Sequence, residues 1–93
     1  MGVNFDIVYH YLVVKEDISK LSTADKKKIK KAIENKLINS PEIFGKPLRR
    51  SLRGYRKLRS GDYRIIYRID GKKVKIFCIG HRSVVYQKST KRI

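Results

Sequence analysis

Two short turns determine how the C-terminal half of this chain can fold. Residues 55–82 form three segments rich in β-branched and aromatic side chains, separated at Gly61-Asp62 and at Asp70-Gly71. An Asp-Gly pair between alternating apolar residues indicates a two-residue type I′ hairpin, and Gly-Asp suits a tight turn that begins with glycine. The three segments are therefore predicted to form antiparallel strands.

The Asp70-Gly71 turn also predicts a register. With Asp70 and Gly71 as its two central residues, the pairs on the core face are Ile69 with Lys72, Tyr67 with Val74, Ile65 with Ile76, and Tyr63 with Cys78. The pairs on the opposite face are Arg64 with Phe77, Ile66 with Lys75, and Arg68 with Lys73. The second face is predicted to be basic and half apolar.

The Gly61-Asp62 turn extends the same two faces to the preceding strand. A two-residue turn pairs Arg59 with Arg64, which keeps Lys57 and Arg59 on the basic face and puts Leu58 in the core. A three-residue turn would bury both cations without partners, which is costly. The two-residue turn is therefore predicted.

The N-terminal half predicts one strand followed by two helices. Phe5 to Val14 carries apolar residues at period two, as in a strand, and Lys15 to Leu21 is predicted to form a short helix. A longer helix is predicted from Thr23 to Asn39, with Ser22 at its cap. It ends at Ser40-Pro41, because the residue before proline disfavours the helical conformation.

The expected fold is a single α+β domain over residues 1–93, in the order β-α-α-β-β-β. Its two N-terminal helices pack on a mostly antiparallel four-stranded sheet. Glu42 to Arg53 contains Gly45 and Pro47 without a clear period, so it is predicted to be a connecting loop. The polar tail, Gln87 to Ile93, is predicted to fray.

Charge is the strongest indication of function. Lys and Arg number 24 against 8 Asp and Glu, a formal net charge of +16. The basic residues from position 46 to 64 are Lys46, Arg49, Arg50, Arg53, Arg56, Lys57, Arg59 and Arg64, opposed only by Asp62. Such a concentration indicates binding to phosphates, and with Arg68, Lys73 and Lys75 it predicts an RNA-binding surface. Solvated arginines on a generally basic protein are the alternative.

The residue content argues against several kinds of active site. No clustered Cys and His have zinc-ligand spacing, no glycine-rich phosphate loop occurs, and no element carries paired carboxylates. Neither a metal nor another cofactor is expected. Cys78, the single cysteine, lies in the apolar run Ile76 to Ile79 and is predicted to be a core thiol in a reducing compartment, hence the cytoplasm. No apolar stretch approaches the roughly 20 residues that span a bilayer, so no membrane contact is expected.

Metal-free cleavage of RNA remains chemically possible. It needs a proton acceptor for the 2′-hydroxyl, a proton donor for the leaving oxygen and cations for the phosphate. His81 and Arg82 end the last strand, and His81 has the same parity as Lys73 and Lys75, which predicts that it lies on the basic face. Tyr86 follows in Val84-Val85-Tyr86, a segment that can fold back on the sheet or only seal its edge.

Several motifs together resemble the RelE/ParE superfamily of bacterial toxins, and the RelE branch most. They are Gly45-Lys46-Pro47-Leu48, the run from Gly54 to Ile69, Ile79-Gly80-His81-Arg82, and Val85-Tyr86. The resemblance covers nearly the whole chain, and the order of the predicted elements follows that of the family.

The resemblance implies an endoribonuclease that cuts messenger RNA in the ribosomal A site. By position, the catalytic residues would be Lys57, Arg59, Arg64, His81, Arg82 and Tyr86. Arg64 and Arg82 would stabilise the scissile phosphate, and Lys57 and Arg59 would neutralise charge or act as base. His81 and Tyr86 would transfer protons or stack on bases.

The resemblance also implies partners. A cognate antitoxin, acidic to match the charge of +16, would neutralise the toxin, and operator DNA would be met only through the toxin–antitoxin complex. The ParE branch, whose members inhibit DNA gyrase without cutting RNA, shares the scaffold, and fold does not fix function. A gyrase inhibitor and a non-catalytic RNA- or ribosome-binding protein are therefore the alternatives.

Overall fold

A five-stranded mixed sheet organises the protein. The computed structural model describes residues 4–93, and its strands lie in the order β1-β5-β4-β3-β2. The strands are β1 (Asp6–Tyr9), β2 (Lys46–Pro47), β3 (Arg56–Ser60), β4 (Tyr63–Asp70) and β5 (Lys73–His81). β1 runs parallel to β5, and the other neighbours are antiparallel.

Helices cover both faces of this sheet. The helices are α1 (Thr23–Ala32), α2 (Pro41–Phe44) and α3 (Val85–Arg92). A wide π-helical turn, Ile33–Leu37, extends α1, and the N-terminal helical segment consists of a π-helical turn, Val13–Asp17, and a 3-10 turn, Ile18–Lys20. A further 3-10 turn spans Arg50–Leu52.

The predicted helices and three-strand meander are confirmed, whereas the end of the first strand, the connecting loop and the frayed tail are predicted wrongly. The first strand ends at Tyr9 instead of Val14, because the chain there turns into the helical segment. The predicted loop from Glu42 to Arg53 contains α2 and β2, so the sheet has five strands instead of four. The tail predicted to fray forms α3, because Val85 and Ser89 are buried against the sheet.

The β3–β4 hairpin has the predicted register, and the β4–β5 hairpin does not. Ser60 pairs with Tyr63 and Arg59 with Arg64, as expected. In the second hairpin Asp70 pairs with Lys73, so the central residues are Gly71 and Lys72 instead of Asp70 and Gly71. Gly61 and Gly71 both have φ of +61°, and in each turn the glycine comes first. Glycine accepts this conformation at little cost, which moves the second turn one residue along.

A β-bulge then exchanges the faces of the second half of β5. Tyr67 pairs with Ile76 and Ile66 with Cys78, so Phe77 is an extra residue in the ladder. Beyond it, Ile79 pairs with Ile65 and shares its face. The predicted pairing of Cys78 with Tyr63 is therefore wrong.

Each face of the sheet has its own buried cluster. The face that packs on α1, here called the α1 face, carries the larger one: Val13, Ile29, Ile33, Leu37, Leu58, Ile65, Tyr67, Val74, Ile76 and Ile79. The opposite face, here called the α3 face, carries Ile66, Phe77, Cys78 and Val85, with Leu48, Tyr55 and Tyr86 against them. The α3 face therefore holds a small core beside its charged residues.

Side chains replace a neighbouring strand along the outer edge of β5. β1 pairs with β5 only as far as Ile76, and in the part of the chain that the structure describes no other strand pairs with β5 beyond it on that side. Asp17 accepts from the Ile79 N–H at 2.9 Å, Lys88 donates to the Ile79 carbonyl at 3.0 Å, and Arg92 donates to the Phe77 carbonyl at 3.0 Å. Buried backbone groups are therefore paired, as stability requires.

The same three side chains form buried ion pairs. The Asp17 carboxylate is fully buried and lies 2.8 Å from Lys88 Nζ and 2.9 Å from Arg92 Nη1. Burial raises the pKa of Asp17, but the hydrogen bonds from Arg92, Lys88 and the Ile79 N–H outweigh burial and hold the pKa below its usual value. This carboxylate thereby joins the N-terminal helical segment, β5 and α3.

Replacing Asp17 with alanine is expected to destabilise the protein by about 3 kcal/mol, because it leaves the buried Arg92 and the partly exposed Lys88 without this carboxylate partner. The free energy of unfolding from urea titration measures this. The matched control is Asp70→Asn, which removes the exposed ion pair with Lys75 and should leave stability nearly unchanged. Equal effects of the two variants would contradict the role assigned to Asp17.

Acid is expected to remove the Asp17 contribution. Because its folded pKa is depressed, the contribution is complete above the unfolded pKa of about 3.9 and is lost as pH falls through the folded value. Urea titrations of the wild type and of Asp17→Asn should therefore differ most at neutral pH and converge in acid. A difference that stays constant with pH would show that the carboxylate charge is not responsible.

Candidate phosphate-binding site on the α3 face

Four cations line one pocket at the β2–β3 edge of the sheet. The pocket has a volume of about 210 Å³, and its walls are Phe44, Lys46, Lys57, Arg59 and Arg64. Among residues 4–93, no acidic side chain lines it. Phosphate oxygens are the groups that such a set of donors binds best.

Strand pairing positions these cations. Lys46 of β2 lies opposite Lys57 of β3, and Arg59 of β3 lies opposite Arg64 of β4. Lys57 and Arg59 share a face because side chains alternate along a strand. Like charges directly opposite one another destabilise a sheet. The protein tolerates two such pairs side by side, which favours binding of a polyanion over a purely structural role.

Two hydrogen bonds hold the Arg64 side chain in place. Its Nη1 donates to the Gly61 and Tyr63 carbonyl oxygens, each at 3.0 Å, so the hairpin turn holds the guanidinium in place. The remaining N–H groups of that guanidinium are available to a ligand, since arginine carries five donors.

Tyr86 lies beside this pocket. It belongs to the first turn of α3, is half-buried against the small core, and its ring centroid is 5.7 Å from Lys57 Nζ. The Lys88 and Arg92 bonds to Asp17 anchor the helix that carries it. The structure therefore brings together Lys57, Arg59, Arg64 and Tyr86 of the predicted catalytic set.

Arg82 lies against the β3–β4 turn and does not line the pocket. Its backbone N–H donates to the Asp62 carbonyl at 2.8 Å, and its Nε is 4.0 Å from Asp62 Oδ1. Arg82 is exposed, so its long side chain is free to swing toward a ligand at the β3–β4 turn.

His81 does not lie on the α3 face, contrary to expectation. It pairs with Tyr63, and the two rings meet edge to face with centroids 5.8 Å apart. Its Nδ1 is 2.8 Å from Ser83 Oγ. The bulge at Phe77 is the physical cause, because it shifts the parity of every later residue in β5. The uninterrupted apolar run from Ile76 to Ile79 was the available signal, since it breaks strict alternation.

The predicted RNA-binding residues are dispersed. Lys46 lines the pocket, whereas Arg56 donates through Nη2 to the Glu42 carbonyl at 2.7 Å and the Gly45 carbonyl at 2.9 Å. Arg56 therefore holds α2 in place. The exposed residues Arg49, Arg50 and Arg53 lie between β2 and β3.

The other three predicted RNA-binding residues lie at the far end of the sheet. Lys75 is paired with Asp70 at 2.8 Å, and Lys73 lies opposite Asp70 in the ladder. Arg68 lies over the Tyr55 ring at 5.8 Å. These cations are not part of the pocket.

Sequence reasoning missed Phe44. The sequence predicts a connecting loop at this position, and only the formation of α2 and β2 brings the Phe44 ring to the pocket wall. Its position immediately before Gly45-Lys46 was the only local signal.

Within residues 4–93, no three His, Cys, Asp or Glu side chains converge as metal ligands. Burial raises the pKa of the Cys78 thiol, which disfavours the reactive thiolate. No helix in the same described range is long and apolar enough to cross a membrane.

Comparison with known proteins identifies the family. The family described as "ParE toxin of type II toxin-antitoxin system, parDE" matches residues 5–86. The chain belongs to the RelE/ParE toxin superfamily. Membership confirms the resemblance expected from the motifs, and the fold is that of the superfamily.

Solved structures of the superfamily cover most of the chain. The toxin–antitoxin complex RelBE2 from Mycobacterium tuberculosis includes a chain with TM-score 0.79 and 31% identity, over 87% of this chain and 94% of that one. A mutant of the Escherichia coli toxin RelE in the free state gives TM-score 0.74 and 29% identity, over 98% and 99%. Escherichia coli YafQ, at 23% identity and TM-score 0.57, shares the fold.

Curated relatives in the superfamily match over a shorter segment. Toxin RelE of Mycobacterium tuberculosis is 45% identical over 53 residues, which are 55% of this chain and 55% of that protein. Toxin RelG of the same organism is 43% identical over 54 residues, 56% and 62% of the two chains. The matched segment thus spans little more than half the length of these two relatives.

Removing pocket cations is expected to weaken the salt dependence of RNA binding. Each phosphate contact contributes about 0.7 to the slope of log K against log salt for single strands, so Lys57→Gln with Arg59→Gln should reduce its magnitude by about 1.4. Fluorescence anisotropy of a labelled single-stranded oligonucleotide over a salt series measures the slope. The control is Lys27→Gln with Lys31→Gln, which removes the same number of positive charges from exposed positions of α1. Equal slope losses in both double variants would indicate only a net-charge effect.

Proposed function

We propose that this type II toxin is a ribosome-dependent endoribonuclease that cuts messenger RNA in the A site without a metal ion. The observation that carries the proposal is the pocket of four cations with Tyr86 beside Lys57. The family supports the toxin class, and the pocket supports phosphate chemistry as its activity.

The proposed reaction is an internal transesterification. The 2′-oxygen attacks the adjacent phosphorus while the bond to the 5′-oxygen breaks, which leaves a cyclic phosphate and a 5′-hydroxyl. A base accepts the 2′-hydroxyl proton, and an acid protonates the 5′-oxygen. Cations stabilise the extra negative charge of the phosphorane, which exists only in the transition state.

The positions of the side chains support a division of these roles. Arg64, held by the turn carbonyls, and Arg82 at the same turn are proposed to bind the phosphoryl oxygens. Lys57 and Arg59 neutralise charge, and Lys57 is also a candidate base. Tyr86, at 5.7 Å from Lys57, is the proposed proton-transfer or stacking group at the pocket. His81 would have to act from the side of the sheet that faces Tyr63, so we assign it a secondary role.

The proposed inhibitor is a cognate acidic antitoxin. A related chain occurs in a toxin–antitoxin complex, and four cations in one uncovered pocket suit an acidic segment that competes with RNA. Ribosome and messenger RNA are the proposed targets, and operator DNA is reached through the toxin–antitoxin complex.

Inhibition of DNA gyrase is the second candidate. The family that matches the chain is described as a ParE toxin family, and the ParE branch is the one for which the resemblance implies gyrase inhibition. The two activities leave different traces in cells. A nuclease cuts translated transcripts, whereas a gyrase inhibitor changes plasmid supercoiling and leaves transcripts intact.

Induction in bacteria, with 5′-end mapping of a reporter transcript, tests the proposal. Cuts at codon-phased positions are expected in the translated reporter and not in a copy that lacks its start codon. Arg64→Ala with Arg82→Ala is expected to abolish these cuts, because both phosphate ligands are lost. Circular dichroism of the variant verifies folding, and Lys27→Gln with Lys31→Gln serves as the charge-matched control.

Two outcomes would contradict the proposal. Cleavage that persists in the folded arginine variant would show that the pocket is not the active site. Growth arrest with altered supercoiling and intact transcripts would establish gyrase as the target instead.

A further inference from the structure

Phe44 is an exposed aromatic residue in the wall of a cationic pocket. It is 48% exposed and lines the pocket together with Lys46, Lys57, Arg59 and Arg64. The ring therefore offers apolar surface at a site whose other walls are charged. Packing of the core does not account for this position, because Phe44 belongs to neither buried cluster.

The backbone that carries Phe44 is firmly anchored. The buried Tyr67 hydroxyl donates to the Pro41 carbonyl at 2.6 Å, at the first residue of α2. Arg56 holds the Glu42 and Gly45 carbonyls through Nη2. A Cβ at Gly45 would overlap the Tyr67 hydroxyl, so close packing also fixes the residue after Phe44. These contacts on both sides present Phe44 at a defined place.

The surroundings of the ring are cationic as well. Lys36 Nζ lies 5.7 Å from the Phe44 ring centroid, and the pocket supplies four more cations. Proteins bind single-stranded nucleic acid with this combination, in which cations hold the backbone and an aromatic ring stacks on a base. Phosphate binding alone would not need the ring.

We propose that Phe44 stacks on a base of single-stranded RNA, beside the phosphate held by the four cations. The inference rests on the proposed function in so far as the pocket binds RNA, and it adds a base-contacting group to the phosphate ligands. Phe44 would thereby position the substrate and contribute to its sequence preference, since bases differ in stacking strength.

The test is binding of a 2′-O-methyl oligonucleotide that carries 2-aminopurine, whose fluorescence falls when the base stacks. The methyl group prevents cleavage, so affinity and stacking are measured on intact RNA. Stacking of a base on one aromatic side chain strengthens nucleic-acid binding, so Phe44→Leu is expected to weaken binding roughly tenfold and to restore fluorescence. Phe44→Trp should retain both affinity and quenching.

Two further measurements separate stacking from other effects. Ile43→Ala changes the neighbouring apolar residue, which is 72% exposed and does not line the pocket, and should bind RNA as the wild type does. The salt slope should be unchanged in Phe44→Leu, because no cation is lost.

The outcomes distinguish this inference from the proposed function. Wild type that binds no oligonucleotide would overturn the stacking role, whereas the proposed nuclease acts on the ribosome and is contradicted only by the reporter experiment. If the wild type binds RNA with the expected salt slope and Phe44→Leu binds equally well, the stacking role is overturned. The proposed function is then unaffected. Equal losses in Ile43→Ala and Phe44→Leu would also overturn the stacking role, since they would indicate a general apolar patch, as for a protein partner.

Discussion

The buried carboxylate of Asp17 is the constraint on which the arrangement of the two faces depends. It accepts hydrogen bonds from the backbone of β5 and from two side chains of α3, so three distant parts of the chain share one anion. The ion pairs compensate the cost of burying the charge, and the backbone bonds complete a sheet edge that no strand within the described residues covers.

The candidate site depends on the same anchor. Tyr86 lies near Lys57 because α3 returns across the sheet, and α3 is held at its later turns by Lys88 and Arg92. The pocket itself is a place of uncompensated repulsion, in which two pairs of cations face each other across neighbouring strands. Stability is thus concentrated at the β5 edge, and repulsion at the β2–β3 edge, where an anionic ligand can relieve it.

Local signals predicted the elements better than their connections. The Ser22 cap, the apolar positions of α1 and the Gly61-Asp62 turn act over a few residues and were interpreted correctly. The register of the second hairpin was predicted wrongly because Asp-Gly and Gly-Lys can both form the turn. The choice between them depends on the packing of the whole sheet. β2 and α3 were missed for a related reason. β2 has only two residues and α3 has a polar sequence, so both elements depend on contacts with residues that are distant in the chain.

The bulge at Phe77 has a consequence for the path of the chain. Because of this one added residue, β5 contributes side chains to both buried clusters. Ile76 and Ile79 pack on the α1 face, and Phe77 and Cys78 pack on the α3 face. The bulge also places Gly80 opposite Arg64, beneath α3, where an added Cβ would meet Lys88 Nζ at 3.3 Å and Val85 at 3.5 Å. The strand therefore meets the helix at the residue that has no side chain. The one extra residue in β5 thus determines how closely α3 can approach the sheet.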